Sequence, residues 1–205
     1  MGLKPRGNLF IVSAPSGAGK TSLCQKLAED MPNIRHSVSF TTRMPRHGEE
    51  NDRDYTFVDE EEFRRMVGAG EFAEWAKVHG NLYGTSKKRL EALKNEGTDV
   101  ILDIDTQGAK EIRSSYNDGV YIFILPPSLD TLKDRLEKRM SNSAEEIALR
   151  LKRATDEIKD YEWYDYVIIN SSFDEALAML KAVVIAEDCR TSKIDPQWVK
   201  KNFRI

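Results

Sequence analysis

The run Leu9-Phe10-Ile11-Val12 delivers the chain into Ala14-Pro15-Ser16-Gly17-Ala18-Gly19-Lys20-Thr21, and Ser22 follows at the start of a helical pattern. An apolar strand, a glycine-bearing turn and a helix in this order read as a phosphate-binding loop. The glycines let several backbone N–H groups converge on one anion, and the helix points its positive end at the same spot. Lys20 is then expected to bridge the outer phosphates of a nucleoside triphosphate, with the Thr21 hydroxyl ligating Mg2+. Ala14 stands where the usual pattern begins with Gly, a position that only opens the turn.

Outward from this loop, short apolar runs alternate with helical patterns, the signature of a parallel sheet covered by helices. Core strands are expected at Leu9 to Ser13, Ser37 to Phe40, Val100 to Asp103, Val120 to Leu125 and Tyr166 to Asn170. Ser86 and Gly97 bracket a helix over Lys87 to Glu96, and Ser128 opens another from Leu129 to Arg139. Ser143 with Glu146 forms a capping box for a long helix toward Tyr161, a last helix runs from Asp174 to Cys189, and a polar tail follows. Between Thr41 and Thr85 the pattern changes to period two, with one short helix from Glu60 to Val67, which predicts an antiparallel insert.

Composition bounds the function. The 205 residues suit one α/β unit with inserted lobes, and 31 Lys+Arg against 34 Asp+Glu give a net charge of −3, so no global field draws the chain to nucleic acid or anionic membrane. Cys24 and Cys189 fit no metal or redox spacing, and His36, His47 and His79 show no ligand spacing. No apolar run approaches a membrane span and no secretory segment precedes the first strand, so a cytoplasmic enzyme is the expectation.

A second anion site is written into Thr41-Thr42-Arg43-Met44-Pro45-Arg46-His47-Gly48-Glu49, where two guanidinium groups in an extended stretch suit one phosphate gripped from two sides. Taken alone, the stretch also reads as a solvated basic turn. Tyr55 and Tyr83 offer phenolic donors. Glu74 falls in register with Phe72, Ala76 and Val78 and interrupts an apolar face, so its carboxylate needs partners. Guanine presents two adjacent donors, N1–H and the exocyclic amine, whereas adenine presents an acceptor at the first; a carboxylate therefore favours guanine. Ser39, Thr85 and Asp105 can complete the hydrogen bonding around such a ring.

With these residues in hand, the chain resembles the guanylate kinase family. The resemblance rests on the phosphate loop, Ser39, the Thr-Thr-Arg-x-Pro-Arg-x-Gly-Glu run, Tyr55, Glu71-Phe72-Ala73-Glu74-Trp75, Tyr83-Gly84-Thr85 and Ile101-Leu102-Asp103-Ile104-Asp105-x-Gln107-Gly108, and it covers nearly the whole chain in order. It implies an α/β fold: a P-loop core with a five-stranded parallel sheet flanked by helices, an inserted, mostly antiparallel β lobe that binds GMP, and a helical lid. One domain would span the chain, with its core at about 1–40, 86–128 and 160–205, the lobe at about 41–85 and the lid at about 129–159. The implied activity is transfer of the γ-phosphoryl group of ATP to GMP or dGMP. By resemblance Arg43, Arg46, Tyr55 and Tyr83 hold the GMP phosphate, Ser39, Glu74, Thr85 and Asp105 read guanine, Glu49 supports the arginines, and Asn170 lines the ATP adenine.

Such chemistry needs alignment and charge neutralisation, not a protein nucleophile. Besides Lys20 and Mg2+, cations are expected from Arg135 and Arg139 on one helix and from Arg150 and Arg153 on the next, within the lid segment; Met140 replaces a Gly frequent in relatives. Asp103, at the end of an apolar strand, is placed to orient Mg2+ through its water shell. Two alternatives sit on related folds: a protein-binding module, against which Lys20, Thr21, Arg43 and Arg139 argue, and a kinase of another monophosphate or a sugar bisphosphate, against which Glu74 and Asp105 argue. A switch GTPase is disfavoured because no Asn-Lys-x-Asp is evident. Oligomeric state is left open.

Overall fold

The computed structural model describes residues 6–78, 80–138 and 144–204. Five parallel strands form the main sheet: β1 (Leu9–Ser13), β2 (Ile34–His36), β7 (Asp99–Asp103), β8 (Val120–Leu125) and β9 (Tyr166–Ile169), in the order β2-β7-β1-β8-β9. The central strand β1 is buried along its whole length, as a strand covered by helices on both faces must be. Its alternate residues feed two cores. Phe10 and Val12 join Leu23, Leu27, Leu180 and Val184 from α1 (Lys20–Asp30) and α7 (Phe173–Asp188). Leu9 and Ile11 join Leu90, Ala109 and Ile112 from α3 (Lys87–Asn95) and α4 (Thr106–Ser115). Each fully buried side chain of this size contributes about 1.5–3 kcal/mol, so the sheet is the rigid frame of the molecule.

A second sheet, ordered β4-β3-β6-β5, comprises β3 (Phe40–Thr41), β4 (Thr56–Phe57), β5 (Phe72–Val78) and β6 (Asn81–Ser86). Its β3–β6 and β5–β6 pairs are antiparallel and its β3–β4 pair parallel, and it carries its own small core of Phe63, Met66, Phe72 and Leu82 beneath α2 (Glu60–Gly68). Helices α5 (Leu129–Glu137) and α6 (Ala144–Ile158) pack through Leu132, Leu136 and Ala154. Ser86, Ser128, Asp59 and Asp105 each accept an N–H from the first turn of the helix they open, satisfying donors the helix itself cannot.

The strand expected at Ser37 to Phe40 lies elsewhere. Ile34–His36 pairs with β7, while Ser37, Val38 and Ser39 cross between sheets and Phe40 already belongs to the second one. The alternation of Ser37-Val38-Ser39-Phe40 mimics a strand, but Ile34 has the buried slot opposite Asp99. The period-two stretch around Asp54 to Val58 yields only Thr56–Phe57 as strand, Asn170 falls just beyond β9, and the polar tail contains α8 (Pro196–Phe203), capped by Asp195 with Pro196 in its first turn. Ser143 of the expected capping box and Arg139 lie outside the described residues.

Candidate active site

Open α/β sheets bind ligands beyond the carboxyl ends of their strands, and the ends of β1 and β7 meet here, with Val12 beside Asp103. The loop from Ala14 to Gly19 turns there through Gly17 and Gly19, whose φ values of 94° and 91° lie in the left-handed region where a side chain would be strained. At Gly19 a Cβ would also stand 2.6 Å from Asn170 Nδ2. No side chain caps α1, which begins at Lys20, so its first N–H groups and its positive end are left for an anion. Ala14 to Ser22 line a cavity of about 600 Å³ whose other walls are Lys77, Val78, Asp105, Arg150, Arg153 and Glu157.

Lys20 Nζ lies 2.7 Å from Asp103 Oδ1. Burial pushes the Asp103 carboxyl up, but Lys20 and a hydrogen bond from Thr21 outweigh it and hold the group below its ordinary value. A charged carboxylate beside a hydroxyl is a hard-oxygen pair of the kind Mg2+ selects. Asn170, buried beside the loop, donates Nδ2–H to Ala18 O at 2.8 Å, and Arg135 donates to Asn170 O at 2.9 Å and to Ala18 O at 3.4 Å. Both therefore brace the back of the phosphate loop through the Ala18 carbonyl.

In the segment that follows β3, Arg43 forms an ion pair with Glu49 at 2.8 Å, and the other Glu49 oxygen accepts the Arg46 backbone N–H at 2.7 Å. The Arg43 guanidinium sits over the Tyr55 ring, 5.3 Å from its centroid, and Tyr55 meets Tyr83 edge-on at 6.0 Å. Burial raises the Tyr55 phenol, which keeps it protonated as a donor. Glu49 thus holds one arginine side chain and the backbone of the other.

The second sheet sets two predicted residues side by side. Glu74 pairs with Thr85 across β5 and β6, while Ser39 lies just before β3, where its carbonyl accepts the Thr56 N–H at 2.9 Å. Glu74 is 7 % exposed, and its Oε1 accepts the Thr85 hydroxyl at 2.6 Å. Burial pushes the Glu74 carboxyl up to about 7 against the opposing pull of Thr85. Asp105 caps α4 by accepting Gly108 N–H at 2.7 Å and also lines the cavity.

Two lining residues escape sequence reasoning. Lys77 carries no distinctive motif, and the Glu157 position on α6 becomes meaningful only once the helix docks. Burial raises the Glu157 carboxyl while the Ser16 backbone N–H lowers it, so this side chain reaches the phosphate loop.

The family model "Guanylate kinase" matches residues 6–187. The guanylate kinase of Geobacter metallireducens is 53 % identical over 192 residues, 94 % of this chain and 95 % of the relative. That of Legionella pneumophila is 50 % identical over 187 residues, covering 91 % and 90 %. The crystal structure of guanylate kinase from Anaplasma phagocytophilum superposes with a TM-score of 0.78 at 37 % identity, covering 99 % of this chain and 98 % of that one. With a phosphate loop at the end of β1 and a model match over most of its length, the chain belongs to the guanylate kinase family and is a phosphate-transferring kinase.

Proposed function

We propose that the protein transfers the γ-phosphoryl group of ATP to GMP, giving ADP and GDP, accepts dGMP as well, and serves the recycling of purine nucleotides in the cytoplasm. The observation that carries the reading is Glu74 buried against Thr85 on the second sheet and within electrostatic reach of Asp105, which lines the cavity of the phosphate loop, with the Arg43–Glu49 pair on the segment that follows β3. The loop suits a polyphosphate; the arginines with Glu74 and Thr85 suit a monophosphate attached to a base with two adjacent donors. Among the described residues no helix is long and apolar enough to cross a membrane.

In this reading the loop amides, Lys20 and Ser22 grip the ATP phosphates while Asn170 and Arg135 keep the loop in shape on the donor side. Arg43, Arg46, Tyr55 and Tyr83 hold the GMP phosphate, and Glu74, Thr85, Ser39 and Asp105 hold guanine. The acceptor phosphate has a second pKa of about 6 and is largely ionised at neutral pH, so its oxygen attacks without a general base. A P–O bond forms to the γ-phosphorus as the bond from that phosphorus to the bridging oxygen of ADP breaks, and charge builds on the equatorial oxygens. Lys20, Arg150 and Arg153 neutralise it, joined by Arg139 from outside the described residues. Thr21 and Asp103 would hold Mg2+, directly and through water, where it would screen the β- and γ-phosphates. The segment of about 129–159, containing α5 and α6, acts as a lid that closes over the two anions and excludes water.

The test is a panel of acceptors with MgATP, read as ADP release. GMP turns over at least about a hundredfold faster than AMP, UMP or dTMP, the discrimination expected of a buried hydrogen-bonding site. Equal rates across the panel would remove the base-reading argument.

A further inference from the structure

Gly108 sits in the first turn of α4, where the backbone does not call for glycine. Its φ is absent from the positive values found at Gly17, Gly19, Gly48, Gly70, Gly80 and Gly97, and its N–H donates to Asp105 as that of any residue would. Glycine is a poorer helix former than alanine, so on local grounds the position is a weak choice. Its surroundings differ from its backbone. A Cβ placed there would stand 3.1 Å from Glu74 Oε2, 3.6 Å from Glu74 Cδ and 3.4 Å from Asp105 Oδ1. The nearest three atoms therefore all belong to the two carboxyl groups assigned to the base site. Asp105 is held by the N–H of Gly108 itself, and Glu74 is held on its far side through Oε1 by Thr85. A methyl group would have to be met by withdrawal of Glu74 Oε2, the oxygen that Thr85 does not hold.

We infer that Gly108 is a positioning residue for base selection: its bare Cα lets the Glu74 carboxylate stand against α4, so that its oxygens keep the spacing and height two adjacent purine donors require. This rests on the reading of Glu74 as the guanine acceptor. The helix gives up local stability at this point for a specificity the backbone alone does not need.

The experiment measures GMP and ATP KM, together with melting temperature, for Gly108→Ala, Glu74→Ala and the double variant. For Gly108→Ala the GMP KM rises about tenfold or more, the loss expected when a hydrogen bond to a charged group is weakened, while the ATP KM stays within about twofold. The melting temperature holds or rises, because alanine is the better helix former. In the Glu74→Ala background the same substitution changes the GMP KM by less than about twofold, since the pair is coupled through one contact. A GMP KM unaffected by Gly108→Ala, or a penalty that persists without Glu74, overturns the inference while leaving the Glu74 reading intact. A GMP KM unaffected by Glu74→Ala overturns the Glu74 reading itself. Should Gly108→Ala fail to fold, recovery of folding in the double variant supports the contact, and failure of both overturns it.

Discussion

Lys20 Nζ and Asp103 Oδ1 lie 2.7 Å apart at the end of adjacent parallel strands, both largely screened from water. The pair holds the lysine at the mouth of the phosphate loop and keeps the carboxylate charged. Lys20→Ala should lower turnover by about a thousandfold or more, as loss of a preorganised cation facing transition-state charge does. The variant leaves Asp103 buried without its partner, at a cost of about 3–5 kcal/mol at pH 7. The folded-state value of Asp103 lies below the ordinary 3.8, so the stability it contributes is present above that value and lost as pH falls through the lower one. The deficit of the variant should therefore shrink in acid, which denaturant unfolding at pH 7 and at about pH 3 measures. A deficit unchanged with pH would show that the pair does not stabilise the carboxylate.

Glu74 behaves in the opposite sense. Its folded-state value of about 7 stands above the ordinary 4.5, so the folded protein binds this proton more tightly than the unfolded chain. Stability relative to Glu74→Gln is thus lost as pH rises from about 4.5 to about 7, by up to about 3 kcal/mol. Unfolding of both proteins at pH 5 and pH 8 should show the gap; parallel curves would place Glu74 in contact with water.

The same carboxylate must be charged to accept two donors from guanine. The GMP KM of the native protein should fall as pH rises through about 7, and Glu74→Gln should raise the KM at pH 8 by about tenfold or more while leaving the ATP KM nearly intact. The acceptor phosphate also ionises near pH 6, so the variant keeps that limb and loses only the upper one. Identical profiles would show that Glu74 faces elsewhere.

Arg43 is held by Glu49 and by the Tyr55 ring, so its role is separable from that of its support. Arg43→Met should raise the GMP KM about a hundredfold, and Glu49→Gln by about tenfold, because the latter leaves the guanidinium in place but less well aimed. Titration of GMP at fixed saturating ATP checks both, and equal effects would show that Glu49 itself contacts nucleotide.

Arg150 and Arg153 line the cavity of the phosphate loop from α6. Arg150→Gln should lower kcat by about a hundredfold with the GMP KM nearly unchanged, the signature of a contact made chiefly in the transition state. A raised GMP KM at unchanged kcat would place this arginine with the acceptor instead.

Much of this was legible in the residues themselves. Leu9 to Thr21 read correctly because apolar run, glycines and helix start are local signals, and Glu74 announced itself by interrupting an alternation that β5 keeps through Ala76 and Val78; the expected register with Phe72 fails, because a shift between Phe72 and Glu74 turns Phe72 to the opposite face, into the core with Phe63 and Leu82. Ser37 to Phe40 misled because alternation shows that a segment can be strand without showing which sheet claims it; the pairing of Ile34 with Asp99 is long-range. Asp195-Pro196 carried a readable helix start inside a stretch that composition alone presents as tail. Glu157, Lys77 and the bracing of Ala18 by Asn170 depend on how helices and sheets dock, and no local pattern encodes that.

The most direct measurement is a crystal structure with GMP and a non-hydrolysable ATP analogue bound together. The account predicts the triphosphate on the amides of Gly17 to Thr21, the monophosphate between Arg43, Arg46, Tyr55 and Tyr83, and guanine N1 and N2 each within hydrogen-bonding distance of a Glu74 oxygen. A monophosphate bound away from the arginines, or a base turned from Glu74, would contradict it.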